Sequence, residues 1–329
     1  MFSVTNDRGF VPQSEQFEDR EMIGTDIKAY KIIHNGEFAY NPARINVGSI
    51  AKYNGVEDCM ISSLYVCFDV DRKRINSEWF FHLLKTSKMN FYYNLNGEGG
   101  VRIYLFYPNF ARIKSSYPTK AEQQKIADLF NLLTKRIETQ IRVIDKLESL
   151  IKGIRATVFN NVQPNTKLGE IADIYQPQTI ASTECNRGQY LVFGANGVIG
   201  RYEQYNHEQP QICITCRGNT CGTVNFSEPF SWITGNAMVI NIDNNKEVNK
   251  RYLFHYLSTQ NFHHIISGSG QPQIVRSPLL KFPIYLPSMQ TQVKLAEMLD
   301  LLRCRLKTEQ DILEKYQQQK AYLLQNMFI

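Results

Sequence analysis

The sequence predicts an α+β chain in which two α/β modules alternate with two long helices. Three observations predict it: a gapless internal repeat, a hydrophobic seam at alternating spacings of four and three, and short apolar runs broken by polar turns ahead of each seam. Residues 117–159 align on 286–328 at a constant offset of 169 positions, with identical pairs that include Gln123/Gln292, Lys125/Lys294, Ala127/Ala296, Leu132/Leu301, Leu133/Leu302, Arg136/Arg305 and Phe159/Phe328. A repeat of this length is read before anything else, because it fixes the number of structural units.

Each copy reads as a long helix. In the first, Ile126, Phe130, Leu133, Ile137, Gln140, Ile144, Leu147, Ile151, Ile154 and Val158 follow the a/d pattern of a coiled coil, and Leu295, Leu299, Leu302, Leu306, Glu309, Leu313, Tyr316, Lys320, Leu323 and Met327 repeat it. Gln140 and Glu309 interrupt the two seams at equivalent places. Pro118 precedes Thr119-x-x-Glu122, a capping box, and Pro287 precedes Ser288. Some forty residues at ~1.5 Å each give a rod of roughly 60 Å. Leu129, Ile141, Val143, Met298, Leu301, Ile312 and Leu324 widen the stripe beyond a two-helix contact and imply a further packing partner.

The segments upstream of the helices correspond more loosely. Asn76–Leu84 parallels Asn249–Leu257, each a helix with an aromatic face; Leu64–Phe68 echoes Ala237–Asn241 as a strand; a strand and polar turn recur as Phe38–Asn46 and Ile212–Asn219; a glycine-rich loop recurs as Asn96–Arg102 and Ser267–Gln273. The predicted domains are residues 1–116, a helical spacer at 117–164, residues 165–286, and a second spacer at 287–329.

Length and composition bound the function. With 329 residues the chain accommodates two or three domains. Its 43% hydrophobic, 21% charged and 12% aromatic content excludes disordered and fibrous classes. No apolar run approaches the ~18–20 residues of a membrane span, and no basic-then-apolar leader opens the sequence, so the cytoplasm is the expected compartment, with no membrane partner. The seven cysteines contain no repeated C-x-x-C pair. Cys213 and Cys216 sit in a strand-like run whose period of two sends them to opposite faces, so buried thiols are expected there and no metal site. The net charge of +6 leans towards a polyanionic partner.

No catalytic constellation emerges, and no catalytic residue is expected. Tyr40-Asn41-Pro42-Ala43 lacks the second proline and the aromatic of the amino-methyltransferase motif, and no P-loop, HExxH or nucleophile elbow is present. His82, His255, His263 and His264 have no acidic or cysteine companions at ligand spacing, and are expected to pack helices or sit at the surface. What remains is a binding architecture: two related modules on rigid spacers, suited to a long repetitive ligand such as duplex DNA. Polar loops with Arg, Asn and Gln suit phosphate and base-edge contacts. The contact candidates are Arg44, Asn46, Lys52 and Arg102 in the first module, and Arg217, Asn219, Gln271, Gln273 and Arg276 in the second. A non-enzymatic adaptor with two protein-binding modules is the competing reading, and a solitary methyltransferase fragment the next.

The order of these pieces resembles the specificity subunit of type I DNA restriction–modification systems. The resemblance is carried by Lys167-Leu-Gly-Glu-Ile171 opening a module, by Ser3-Val-Thr with Gly9–Gln13 and Phe38–Arg44, and by Pro118-x-x-x-Glu122-Gln-x-Lys-Ile126 beginning a long helix. It implies two target-recognition domains, long helices forming an antiparallel coiled coil, and a bipartite double-stranded DNA target. It implies two modification (methyltransferase) subunits docked on the helices, with restriction (helicase-nuclease) subunits joining them. S-adenosylmethionine, ATP and magnesium would belong to those partners, leaving no cofactor in this chain. One departure stands out. Val192–Ile199 corresponds to the Ser3–Val11 stretch, so the Lys167–Tyr190 segment has no equivalent ahead of Met1, which implies an N-terminally shortened first domain with an unpaired sheet edge.

Overall fold

The computed structural model describes residues 1–328 apart from 17–28, 101, 161, 186, 196 and 269. Val101, Asn196 and Ser269, which belong to the recurring loops and turn named above, lie outside the described residues. The chain divides into two compact units, one made of Met1–Arg142 with Asp311–Ile329 and one of Val143–Gln310.

The first unit holds strands β1 (Phe2–Thr5), β2 (Gly9–Pro12), β3 (Lys31–Ile33), β4 (Phe38–Tyr40), β5 (Ile50–Lys52), β6 (Cys59–Ile61) and β7 (Val66–Phe68). They form two sheets, ordered β2-β1-β6-β3 and β5-β4-β7. Its helices are α1 (Gln13–Gln16), α2 (Ser77–Leu84), α3 (Ser87–Asn96), α4 (Tyr107–Phe110) and the first part of α5 (Lys120–Phe159). The second unit holds β8 (Thr166–Lys167), β9 (Asp173–Tyr175), β10 (Tyr190–Gly194), β11 (Gly197–Tyr202), β12 (Ile212–Thr215), β13 (Val224–Phe226), β14 (Trp232–Ile233), β15 (Ala237–Asn241) and β16 (Pro283–Ile284). These form sheets ordered β11-β10-β14, β13-β12-β15-β9 and β16-β8. They are joined by α6 (Leu168–Ile171), α7 (Lys250–Leu257), α8 (Arg276–Leu280) and the first part of α9 (Met289–Asn326).

The strand plan repeats. A hairpin, β1–β2 or β10–β11, pairs in parallel through its first strand with a later strand, Phe2 opposite Ile61 and Val192 opposite Trp232. The antiparallel β5-β4-β7 sheet recurs as β13-β12-β15. The register corrects the alignment read from the sequence: Phe38 faces Phe68 as Ile212 faces Ile240, so Phe68 answers Ile240 and not Asn241. A strand of three residues with apolar side chains throughout has no alternation to fix its register, and a slip of one exchanges the faces. Cys213 and Cys216 do fall on opposite faces, in separate clusters of buried residues. The second unit adds β9 along the outer edge of β15.

Local signals explain the helix starts. Asn76 and Asn249 cap α2 and α7, their side-chain oxygens accepting from Trp79 N at 3.0 Å and Tyr252 N at 2.9 Å. Ahead of α5, the Glu122 carboxylate accepts from the Thr119 amide at 2.9 Å and from its hydroxyl at 2.7 Å. Every seam position of both long helices is buried or half-buried. The helices run antiparallel in each unit. In the first, Phe130 meets Phe328 at 5.7 Å between ring centroids and Lys320 Nζ donates to Thr134 at 2.8 Å; in the second, Phe159, Ala296 and Leu299 share one core. Glu309 is buried in its seam beside the Arg305 guanidinium, 2.5 Å away. Of the residues that widen the stripe, Leu129, Ile141, Met298 and Leu301 stay exposed.

One contact recurs between each module and its helix. Gln123 is 0% exposed; its Oε1 accepts from Asn76 N at 2.7 Å while Nε2 donates to the Pro118 carbonyl at 2.9 Å and the Arg74 carbonyl at 3.2 Å. Gln292, 1% exposed, accepts from Asn249 N at 2.8 Å and donates to Pro287 at 2.9 Å and Glu247 at 3.1 Å. Replacing either amide by an apolar group leaves three backbone groups unsatisfied in a dry site. Gln292→Leu is therefore expected to destabilise the second unit by about 2–4 kcal/mol, read as a lower midpoint in chemical denaturation.

Candidate nucleic-acid interface

In each unit two loops meet beyond the end of the central strand. In the first, β4 runs into Asn41, whose side-chain oxygen accepts from Ala43 N at 3.0 Å, and then into a single 3-10 turn over Ile45–Val47, flanked by Arg44 and Gly48. Gly48 has φ 96°, a left-handed conformation that favours glycine. The second loop closes where Glu98 pairs with Tyr104, and Leu105 N donates to the Pro42 carbonyl at 3.0 Å, stitching the two loops together. The second unit repeats this: Ser267 pairs with Gln273, and Ile274 N donates to the Cys216 carbonyl at 3.0 Å. Gly99 and Gly268 occupy the same place in the two loops with φ 113° and 95°. A Cβ there would lie 2.3 Å from the Arg102 carbonyl oxygen and 2.4 Å from that of Gln271.

These platforms carry most of the candidates. Arg217 and Gln273 face each other across a backbone bridge, and Arg217, Asn219, Gln271 and Gln273 are all exposed. On the first platform Arg44 and Arg102 are exposed, while Asn46 is half-buried and donates to Asn94 at 3.1 Å. Arg44 also borders a cleft of about 370 Å³ with the turn of the β1–β2 hairpin, Asn6, Asp7 and Arg8 among its walls. Two candidates are held away from the loops. The Lys52 ammonium, its side chain 10% exposed, is paired with Glu78. Arg276 opens α8 and donates from Nε to the Ile174 carbonyl at 2.5 Å, with Asp173 at 3.9 Å.

Tyr104 and Phe106 escaped the sequence reading. Both are exposed beside the glycine-rich loop, with rings stacked at 6.2 Å between centroids and 14° between planes. The signal was available, because the offset of 169 continues upstream of the helices and sets Tyr104 against Gln273, Phe106 against Val275 and Tyr107 against Arg276.

Among the described residues no group of three or more His, Cys, Asp or Glu converges as a metal site, and no helix is long and apolar enough to cross a membrane.

Residues 162–318 match the family described as Type I restriction modification DNA specificity domain. The EcoprrI type I restriction enzyme specificity subunit of Escherichia coli is 28% identical over 111 residues, covering 34% of this chain and 27% of that protein. A putative type I restriction enzyme specificity subunit of Haemophilus influenzae is 28% identical over 141 residues, 41% of this chain and 36% of its own. This chain thus spans about a quarter and about a third of the length of those two relatives. A putative type I specificity subunit of Mycoplasma pneumoniae is 24% identical over 266 residues, 76% of this chain and 69% of its own. The fold is that of the type I restriction-modification S subunit from M. genitalium, with a TM-score of 0.62 at 16% identity, over 90% of this chain and 83% of that one. A chain from a type I restriction-modification assembly gives 0.57 at 17% identity, over 89% and 82%. Residues 162–318 thus carry a type I restriction-modification DNA specificity domain, and the fold around it is that of a specificity subunit.

His82 and His255 pack α2 and α7 onto the long helices. His255 is fully buried, 2.8 Å from Asp300 Oδ1 through Nε2, with the Arg155 guanidinium 3.5 Å from Nδ1. His82 packs on Phe130 with ring centroids 4.8 Å apart, and the position answering Asp300 at the same offset is Asn131. Burial, reinforced by the Lys320 ammonium, pushes the His82 imidazole down from 6.5 to about 4. The folded value lies below the unfolded one, so between them the unfolded chain binds more protons. The stability is complete above pH 6.5 and is lost as the pH falls towards about 4. His82→Gln is expected to give a shallower fall of the denaturation midpoint over that window, checked by a urea series at stepped pH.

Proposed function

We propose that this chain is the DNA sequence-recognition subunit of a type I restriction–modification complex acting in the cytoplasm, with each unit reading one half of a bipartite double-stranded target. The observation that carries this reading is the repeated two-loop platform. The same backbone stitch, Leu105 to Pro42 and Ile274 to Cys216, presents different side chains in the two units. One frame with two sets of readers suits a target whose halves differ. Arg44 and Arg102 on one platform, and Arg217, Asn219, Gln271 and Gln273 on the other, offer the donors and amides that pair with phosphates and major-groove base edges. Lys52 and Arg276 serve the frame, the first through Glu78 and the second through the Ile174 carbonyl.

The long helices supply the docking surface for two modification subunits, with restriction subunits joining that assembly. Leu132 and Leu301, at equivalent positions and 65% and 73% exposed, are suited to that contact. Methyl transfer and cleavage then belong to those partners, along with S-adenosylmethionine, ATP and magnesium.

The test is a gel-shift of duplex DNA with the chain in the presence and absence of its methyltransferase subunits. DNA binding that weakens with salt, by roughly 0.9 log unit per log unit of salt for each phosphate neutralised, is expected. Absence of DNA binding with the partner present would favour a protein-binding adaptor. Arg217→Ala is expected to lose on the order of 1–3 kcal/mol of affinity and to relax the preference at one position of the target. Leu132→Asp with Leu301→Asp should abolish co-elution with the methyltransferase on size exclusion.

A further inference from the structure

At the end of α7 the second unit holds a cleft of about 430 Å³, walled by Glu148–Asn160 of α5, by Ser258 and Thr259, and by Leu306 of α9. Two cations of α5 line it, the exposed Lys152 and, one turn on, the half-buried Arg155. Arg155 Nη2 lies 3.5 Å from His255 Nδ1. A guanidinium only donates, so Nδ1 accepts, His255 is neutral, and its Nε2 proton goes to Asp300. The Asp300 carboxylate is thus spent on His255 and Arg251. Arg155 Nε is buried with no hydrogen-bond partner among the described residues, and the charged group acting on it is Arg303, of like sign. A guanidinium so placed is stabilised by an anion that this unit does not itself supply. The Ser258 and Thr259 hydroxyls donate to the Phe254 and Tyr256 carbonyls, both at 2.7 Å, and so cover the α7 carbonyls that would repel such an anion.

The first unit repeats the cleft with its charge on the other wall. At the offset of 169, Ala321 and Leu324 of α9 stand for Lys152 and Arg155, and they line a cleft of about 420 Å³. Its cation comes from the end of α2 instead: Lys85, in the place of Ser258, donates from its ammonium to the Gly48 carbonyl at 2.6 Å. The place and the sign are kept while the residue and its wall change. That cleft is also walled by Ile45–Gly48, the turn that carries Asn46 beside Arg44. In the second unit Thr259 leads into Gln260–Phe262, which line a further cleft with Cys221–Thr223 of the platform loop. A cationic cleft therefore lies next to each set of candidate readers, the arrangement that a duplex asks for, since its phosphates flank its base edges.

We infer that the cleft at the end of α7 seats one phosphate of the DNA backbone beside the half-site read by the second unit, with Arg155 and Lys152 as its ligands. The inference rests on the reading of the two platforms as DNA-binding. The guanidinium offers paired donors to two phosphate oxygens, and the ammonium adds a point charge from the rim. Glu148, exposed on the same face of α5, sets the limit of the positive wall. A contact of this kind carries no sequence information; it fixes the register of the module on the duplex.

The test has two arms on the full chain. In the first, without DNA, inorganic phosphate replaces chloride at constant ionic strength. The thermal midpoint should rise saturably in the unaltered chain, and Arg155→Gln should abolish the part of that rise that belongs to this cleft. In the second, the chain with its methyltransferase subunits binds duplexes of several sequences over a series of salt concentrations. Arg155→Gln and the exposed substitution Lys152→Gln should each make the salt slope shallower by roughly 0.9, equally for all sequences, and Arg155→Lys should restore most of it. The inference is overturned if phosphate leaves the midpoint unchanged, if Arg155→Gln responds as the unaltered chain does, or if neither glutamine variant changes the slope. An unchanged slope with loss of co-elution in Arg155→Gln would assign the seat to a carboxylate of the methyltransferase. Failure of the unaltered complex to bind DNA at all would overturn the platform reading and, with it, DNA as the source of the phosphate.

Discussion

A glutamine amide buried at the first turn of each long helix fixes that helix to its module. The side chain has one strong acceptor and one doubly donating nitrogen, and both Gln123 and Gln292 use all of this capacity on backbone groups that no helix or ladder satisfies. The amide receives the N–H of the capping residue of the module's helix and gives its protons to a carbonyl before that cap and to the proline that precedes the long helix. Two helix starts are thereby locked to one another through a single group. A glutamate would lack the donors, and a leucine would leave all three backbone atoms dry and unpaired.

With the frame so constrained, difference is confined to what the frame presents. The strand plan, the caps, the loop stitch and the left-handed glycines at 99 and 268 are shared. The loop side chains are not, nor is the polar support beneath: His255 is held by Asp300 where the counterpart position beside His82 is Asn131. Arg251 and Arg303 lie over Phe226 and Phe254 at 4.1 and 5.0 Å, adding cation–π contacts around that second histidine. Two modules with one strand plan thus settle the same buried imidazole by different means.

Much of this was legible in the sequence, and the legible part was the periodic part. The seams, the Thr119 capping box and the constant offset rest on local spacing, and each long helix follows from them. Cys213 and Cys216 could be sent to opposite faces because an odd separation in a strand decides it. The rest depends on pairing at a distance. The register of β7 against β4 is set by a partner some thirty positions away and by no alternation of its own. Lys52 looked like a loop cation until α2 brought Glu78 to it, and Arg276 until β9 brought the Ile174 carbonyl. Gln123 and Gln292 were visible as an identical pair, but three backbone partners lying in two segments cannot be read from one.

The first unit is made of two stretches of chain with the whole of the second unit between them. Its core is closed by Phe328, which meets Trp79 at 6.0 Å and Phe130 at 5.7 Å. The second unit is continuous from Val143 to Gln310. During synthesis the ribosome therefore delivers every residue of the later unit before it delivers the plug of the earlier one. The N-terminal module must wait, with Trp79 and Phe130 uncovered, while its sibling folds, reversing the usual N-terminal-first order of multidomain chains. The closing contacts span most of the sequence, and such long loops are the slow step in assembling a native topology.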